Sequence, residues 1–283
     1  NYRLSILLLS IFLILLTSCK QTTKGNTDPI SKTSFLLNTV VTITIYDSWD
    51  YSLLDGALDL IADYEGIYSR TLESSELYQL NHGQLPMKNG GYIISNELKD
   101  ILEYGLAYGD ISKGNFDITI APISSMWNFT EDVPIPDKEL IEKELPKVNY
   151  KNISLNKDTV TFAVESIQID LGGIAKGYIA DRVKEYLLSQ GVKSAIINLG
   201  GNILTVGQKP DGTSFKIGIQ KPFADRNETA AVMEINDYSV VSSGIYERYR
   251  MEGGVLYHHI LDPKTGFPYE NNLVALTIVS KNS

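Results

Sequence analysis

The sequence is poor in several residue types, and each shortage excludes a class of protein. Cys19 is the only cysteine among the 283 residues, so the chain cannot form an internal disulfide bond. The 25 lysines and arginines face 34 acidic residues, which gives a net charge of −9, and they form no cluster. A chain without a basic patch is not expected to bind nucleic acid. Since 43% of the residues are hydrophobic, the chain is long enough and apolar enough to bury a sizeable core.

The main hydrophobic run lies at the N-terminus, over residues 4–16. It is shorter than the about 20 residues that span a bilayer, and it fits the hydrophobic region of a signal peptide. Residues 16–19, Leu-Thr-Ser-Cys, resemble a lipobox, in which Cys19 is lipidated and becomes the mature N-terminus. We therefore predict a signal peptide over 1–18, a lipid on Cys19 that anchors the protein to a bacterial membrane outside the cytoplasm, and a polar tether over 19–34. A plain signal peptide and an uncleaved anchor are the alternatives.

The remaining residues, 35–283, mix helix and strand patterns without strict alternation, which favours an α+β domain. Helical spacing of apolar residues predicts helices over 52–68 and 95–108, the second with Ser95 as N-cap. Asp137 is predicted to cap a short charged helix that ends at Leu145. From residue 203 onward the pattern changes to antiparallel strands. Since the sequence begins at Asn1 and stops at Ser283 directly after an apolar strand pattern, we expect it to be C-terminally incomplete.

One segment, 169–181, has the form of a strand that ends in Asp170, a turn with Gly172 and Gly173, and an amphipathic helix. Glycines allow positive φ and a close approach of the backbone to a ligand. The N-terminus of the helix that follows suits a phosphate group. Taken alone, such a unit is also compatible with an ordinary connection, and it is neither a dinucleotide fingerprint nor a Walker loop.

Five further segments contain more glycine, aspartate, histidine and serine than a structural role requires: residues 69–81, 114–129, 198–202, 242–249 and 257–266. They include Phe-Asp-Ile-Thr-Ile-Ala-Pro followed by Trp-Asn-Phe, then Asn-Leu-Gly-Gly-Asn, Ser-Ser-Gly-Ile-Tyr-Glu-Arg and His-Ile-Leu-Asp-Pro-Lys-Thr-Gly. With Asp-Leu-Gly-Gly-Ile-Ala-Lys-Gly-Tyr, these motifs occur in the order found in the ApbE family. The sequence resembles that family over nearly its whole length after the N-terminal segment.

The ApbE resemblance implies a fold and a reaction. The fold is α+β, a single compact ApbE-like (T-fold-like) domain over 35–283 with a mixed, largely antiparallel sheet and packed helices. The reaction is Mg²⁺-dependent transfer of FMN from FAD to a Ser or Thr hydroxyl of a target flavoprotein, with release of AMP. Two alternatives stay open, an FAD pyrophosphatase that uses water as acceptor and a flavin-binding or flavin-trafficking lipoprotein without turnover.

The resemblance also implies roles for single residues. Cofactor contacts are expected at Leu37, Thr71, Phe116, Asp117, Asp170, Lys176, Ser243 and Ile260. Leu37 and Thr71 depart from the Met and Tyr of some members, and Asn202 and Ile245 each replace an Asp.

The resemblance also implies which residues bind the metal and which carry out the chemical step. The backbone carbonyl of Gly173 is expected to bind Mg²⁺, with the side-chain ligands beyond Ser283. His259 and Asp262 are the expected catalytic residues, with His259 as the base because its ordinary pKa of about 6.5 lies near working pH. The residues alone also allow His259 to be a strand histidine that packs, and Glu247 and Arg248 to form a surface pair.

Overall fold

The computed structural model of the chain describes residues 28–129, 131, 133–225 and 228–283. The predicted signal peptide, Cys19 and most of the predicted tether lie outside these residues. Among the helices in the described part, none is both long enough and apolar enough to cross a membrane.

The elements follow one another in the predicted mixed order. The helices are α1 (Tyr51–Tyr68), α2 (Glu76–Asn81), α3 (Asn96–Ile111), α4 (Ala121–Ser124), α5 (Lys138–Glu144) and α6 (Ala175–Ser189). The first strands are β1 (Ile30–Leu36), β2 (Thr39–Ile45), β3 (Met87–Lys88), β4 (Gly91–Ile93), β5 (Ile153–Leu155), β6 (Thr159–Phe162) and β7 (Ser194–Leu199). The later strands are β8 (Asn202–Gly207), β9 (Phe215–Gln220), β10 (Thr229–Ile235), β11 (Ser239–Gly244), β12 (Tyr249–Glu252), β13 (Val255–His258) and β14 (Ala275–Ser280).

The main sheet has the strand order β1-β2-β7-β8-β11-β14, and every neighbouring pair in it is antiparallel. A smaller sheet has the order β3-β4-β6-β5, and β9–β10 and β12–β13 form separate hairpins. The expected α+β domain with a largely antiparallel sheet is confirmed.

The core lies between the main sheet and the helices α1 and α6, which pack on each other and on its strands. On β2, Val41, Ile43 and Ile45 alternate with more exposed residues and are fully buried. Ile61 of α1 and Val183 of α6 are fully buried in the same cluster. Each such side chain contributes about 1.5–3 kcal/mol through removal from water.

The predicted tether is too long at its C-terminal end. Residues 30–34 belong to β1, where Ile30 pairs with Ile45 and is buried. The polar composition of this stretch suggested a linker, but it forms an edge strand on which Ser31 and Thr33 bond to threonines of β2. Polar side chains are common on an exposed edge.

Ser95 is the N-cap of α3, as predicted. Its hydroxyl accepts a hydrogen bond from the N–H of Leu98 at 3.1 Å and donates to a carboxylate oxygen of Glu76 at 2.5 Å. We expect Ser95→Ala to lower the free energy of unfolding by about 1 kcal/mol, because the N–H of Leu98 loses its acceptor. Urea denaturation measures this change, and Ser189→Ala at the exposed end of α6 is the control. Equal midpoints for both variants would contradict the capping role.

Candidate functional site

The segment before Asp170 is not a strand, so this part of the prediction was wrong. Its backbone is held by the side-chain amide of Asn81, which accepts from the N–H of Ile169 at 2.8 Å and donates to the Ile169 carbonyl at 2.9 Å. The N–H of Asp170 then donates to the carbonyl of Ile118 at 2.8 Å. A side-chain amide that bonds both the N–H and the carbonyl of one residue replaces the hydrogen bonds that a neighbouring strand would supply. Asp170 is therefore held in place although its segment belongs to no sheet.

The two glycines after Asp170 do not have the predicted positive φ. Their close approach to a ligand stays a prediction. Gly172 donates its N–H to Asp170 Oδ1 at 2.8 Å. A Cβ on Gly173 would lie 2.8 Å from Cε2 of Phe116, so glycine is required there for space. The Phe116 ring therefore lies against the turn that the resemblance assigns to flavin and metal.

Helix α6 starts directly after this turn, with Ile174 as N-cap and no side-chain capping bond. The N–H groups of its first turn therefore have no side-chain acceptor, which is the arrangement that favours an anion. Lys176 lies in this turn. Burial lowers the pKa of Lys176, the neighbouring positive charge of Arg248 lowers it further, and Glu247 acts in the opposite direction.

His259 follows directly after β13. Its backbone N–H donates to the carbonyl of Arg248 at 3.1 Å, and its ring Nδ1 lies 3.3 Å from the same oxygen. More than a third of the residue is accessible to solvent, yet the surrounding protein lowers the pKa of His259 by desolvation. The positive charges of Arg248 and Lys176 also lower this pKa, whereas the hydrogen bond to the Arg248 carbonyl raises it. His259 therefore lies against the backbone of Arg248, and Lys176 acts on it through its charge.

His258 points away from this site, as predicted. It is buried, and its ring Nε2 lies 3.1 Å from the carbonyl oxygen of Tyr269. Its Nδ1 accepts from the N–H of Ile260 at 3.3 Å, while the Ile260 carbonyl accepts from the N–H of Tyr269. His258 holds the chain around Ile260 in place, and this explains why two adjacent histidines have different roles.

Asp262 begins a loop that returns to the Phe116 segment. Its Oδ1 accepts from the N–H of Lys264 at 2.9 Å. The ammonium of Lys264 donates to Asn115 Oδ1 at 2.7 Å, and the Tyr269 hydroxyl donates to the Asn115 carbonyl at 3.2 Å. Burial raises the pKa of Tyr269, and the adjacent carboxylate of Asp262 raises it further. Asp262 and Phe116 thus belong to one connected region.

Asp117 has its carboxylate bonded inside the protein. It is 6% exposed. Oδ1 accepts from the N–H and the hydroxyl of Thr119 at 2.8 and 2.6 Å, and Oδ2 accepts from the N–H of Tyr150 at 2.9 Å. Its contact with flavin stays a prediction, while its visible role is to join residues 117–119 to residue 150. A cleft of about 420 Å³ lies beside it, lined also by Lys113, Lys151 and Pro263.

Thr71 is exposed and lines a cleft of about 400 Å³ together with Arg70, Tyr78 and His82. Arg70 was not predicted as a site residue. Its Nε lies 3.2 Å from Asp170 Oδ2, so it joins this cleft to the turn. A charged side chain directly before an expected cofactor contact was the signal available in the sequence.

Leu37 and Ser243 lie farther from the group described so far. Leu37 lies in the β1–β2 turn, where it has a positive φ and donates its N–H to Glu65 Oε1 at 2.8 Å. Ser243 is exposed on β11, opposite Leu276 of β14. Within the described residues, no hydrogen bond or ion pair joins either of them to Asp170, Lys176 or His259. Their cofactor contacts stay predictions.

Known proteins resemble the chain in sequence and in structure. The sequence profile of the ApbE family matches residues 37–283. An FAD:protein FMN transferase of Klebsiella pneumoniae is 33% identical over 258 residues, which cover 89% of this chain and 78% of the relative. One from Treponema pallidum is 29% identical over 275 residues, with coverage of 89% and 75%.

Two solved structures share the fold. The ApbE protein of Thermotoga maritima matches with a TM-score of 0.81 and 28% identity, covering 90% of this chain and 82% of the other. The flavin transferase ApbE of Vibrio cholerae matches with a TM-score of 0.79 and 25% identity, with coverage of 90% and 82%. The profile match, the identity to the Klebsiella relative and the shared fold together show that this chain belongs to the ApbE family.

Proposed function

We propose that this chain transfers FMN from FAD to a serine or threonine hydroxyl of an acceptor flavoprotein, with release of AMP. The observation that carries the proposal is that His259 bonds to the backbone of Arg248, while Lys176 lies in the uncapped first turn of α6, directly after the turn in which Gly173 packs against Phe116. The positive charge of Lys176 acts on His259 and lowers its pKa. The family membership and the names of the curated relatives support the same reaction.

The transfer is a displacement at phosphorus. The acceptor oxygen forms a bond to the FMN-side phosphorus of the pyrophosphate, and the bond from that phosphorus to the bridging oxygen breaks as AMP leaves. The hydroxyl proton goes to a base, for which His259 is the candidate because its ring is held at Nδ1 near the Arg248 carbonyl. The negative charge on the phosphoryl oxygens requires fixed positive groups.

Lys176 and Arg248 supply such positive groups. The charge of Arg248 lowers the pKa of both Lys176 and His259, while Glu247 raises that of Lys176. An anion that binds between two neighbouring cations relieves the repulsion between them, so these residues are expected to favour an anionic ligand. The pyrophosphate of FAD supplies that anion in the proposed reaction.

The proposal includes Mg²⁺, whose chemistry would be to neutralise charge on the pyrophosphate. In the described residues, Gly173 offers a carbonyl oxygen that accepts no backbone hydrogen bond, which suits a hard cation. The same residues contain no group of three or more His, Cys, Asp or Glu side chains placed to hold a metal ion. One carbonyl is not a complete site, so we assign no step of the reaction to the metal.

The proposed location is the outer side of a bacterial membrane, with the protein anchored through a lipid on Cys19. The support is the sequence of residues 1–19, an apolar run that ends in a lipobox-like motif. Labelling with a radioactive fatty acid tests the anchor, and Cys19→Ser is the control variant that is expected to lose the label.

Hydrolysis of FAD is the second candidate, because His259 is accessible to solvent and water can reach it. The full chain is incubated with FAD and Mg²⁺, with and without a purified acceptor domain that has an exposed threonine. Covalent flavin on the acceptor, absent from its Thr→Ala variant and from samples with EDTA, is the expected result. FMN and AMP without acceptor would instead show a pyrophosphatase, and unchanged FAD that stays bound would show a carrier.

The pH dependence of transfer follows from the direction of the His259 shift. The folded-state pKa is lowered below 6.5, so the ring is neutral and basic at pH 7. The transfer rate should therefore be lost only as the pH falls through a value below 6.5. Arg248→Met removes a positive charge that lowers the pKa of His259. The pH at which the rate falls is therefore expected to be higher in this variant. Single-turnover rates from pH 4.5 to 8 measure this pH dependence. A fall in rate that began above pH 6.5 in the unmodified chain would contradict the assignment of His259 as the base.

A further inference from the structure

Arg70 lies between α1 and α2, and its side chain is held at two points. Nε lies 3.2 Å from Asp170 Oδ2, and Nη1 donates to the hydroxyl of Ser125 at 2.8 Å. The side chain is 32% exposed, so most of it is removed from water. The planar guanidinium bonds in two directions at once, and a lysine ammonium would not reproduce this geometry.

Asp170 is the partner whose orientation Arg70 controls. Oδ1 accepts from the N–H of Gly172 at 2.8 Å, and Oδ2 accepts from the Ser124 hydroxyl at 2.9 Å and forms the ion pair with Arg70. These three partners come from separate segments of the chain. Arg70 alone among them carries a charge, and the Asp170 side chain is 20% exposed.

Asp170 keeps unused acceptor capacity for a ligand. An ionised carboxylate has about four lone-pair positions, and the hydrogen bonds from Gly172 and Ser124 use two of them. A bound ligand can therefore donate an N–H or O–H to this side chain, while Arg70 pairs with its charge. The Asp170 backbone is held separately, by the bond from its N–H to the Ile118 carbonyl.

We infer that Arg70 is a positioning residue for flavin binding, which acts by holding the Asp170 carboxylate in the orientation that accepts a hydrogen bond from the flavin. This inference rests on the proposed function, because it needs FAD as the ligand. Arg70 also lines the cleft of Thr71, Tyr78 and His82, so a direct contact with FAD is the competing explanation.

A double-mutant cycle on FAD affinity separates these explanations. The full chain and the variants Arg70→Gln, Asp170→Asn and Arg70→Gln/Asp170→Asn are titrated with FAD, and the dissociation constant is read from the quenching of flavin fluorescence. We expect Arg70→Gln to weaken binding about tenfold when Asp170 is present and less than about twofold in the Asp170→Asn background, since coupled pairs are non-additive. The absorption band of bound flavin should shift in Arg70→Gln and stay unchanged in Arg182→Gln, which alters a half-exposed arginine of α6 that pairs with Glu185.

Arg70→Lys keeps the charge but not the two-point geometry, so it should recover less than half of the lost affinity. Near-ultraviolet circular dichroism confirms that each variant is folded. An equal loss of affinity from Arg70→Gln in both backgrounds would overturn the inference in favour of direct contact, and unchanged affinity would overturn it outright. If the unmodified chain bound no FAD, the proposed function would fail together with the inference, whereas intact FAD binding without coupling would refute the inference alone.

Discussion

His259→Ala is expected to lower the rate of flavin transfer by about 10²–10³-fold, because the acceptor hydroxyl loses the base that removes its proton. The rate is measured as the appearance of covalent flavin fluorescence on the acceptor protein at saturating FAD. The FAD dissociation constant should change little, since the ring acts on the acceptor. Full activity of His259→Ala would show that another group, or the solvent, takes the proton.

Stability measurements separate the two adjacent histidines. His259 is accessible to solvent and its ring contacts one backbone oxygen, so its loss should leave the thermal unfolding temperature nearly unchanged. His258 is buried and bonds the backbone on both sides, so His258→Ala should lower that temperature clearly. If His259→Ala also unfolded at lower temperature, its low activity would not be evidence of a catalytic role.

Asp117→Ala is expected to lower the free energy of unfolding by roughly 3–5 kcal/mol. The substitution leaves the N–H groups of Thr119 and Tyr150 buried without their acceptor, and it removes the partner of the Thr119 hydroxyl. Guanidinium denaturation followed by circular dichroism measures the change. A midpoint equal to that of the unmodified chain would contradict the structural role of this carboxylate.

The chain contains a matched control for Asp117. Asp211 makes the same local motif, with Oδ1 accepting from the N–H of Thr213 at 2.9 Å and from its hydroxyl at 2.7 Å, but it lies on the exposed surface. Those bonds lower the pKa of Asp211. Because water replaces the lost acceptor there, Asp211→Ala should change the denaturation midpoint far less than Asp117→Ala.

Local patterns were sufficient to predict most of the fold. The predicted change to antiparallel strands from residue 203 onward is confirmed by β8–β14, and Ser95 and Asp137 cap the predicted helices. These features depend on residues near one another in sequence, where periodicity and capping chemistry act directly. Membership of the ApbE family, which came from the order of motifs, is confirmed.

The errors arose where distant residues decide the structure. Residues 31–34 are polar, yet they form a strand because β2 offers them hydrogen-bond partners. The segment before Asp170 has the composition of a strand but pairs with the side chain of Asn81, 88 positions away from Ile169. The ion pair of Arg70 with Asp170 depends on a similar long-range approach: the charged residue beside Thr71 is visible in the sequence, but its partner is not.

The amide of Asn81 has a consequence for the motions of the Asp170 turn. A strand in a six-stranded sheet exchanges its amide hydrogens only when several ladders open together, whereas the N–H of Ile169 is protected by one side chain at the end of α2. Fraying of that six-residue helix is therefore enough to expose the N–H of Ile169 to exchange while the sheet stays intact. Hydrogen exchange at the residue before Asp170 is therefore governed by a short helix, independently of the global stability of the domain.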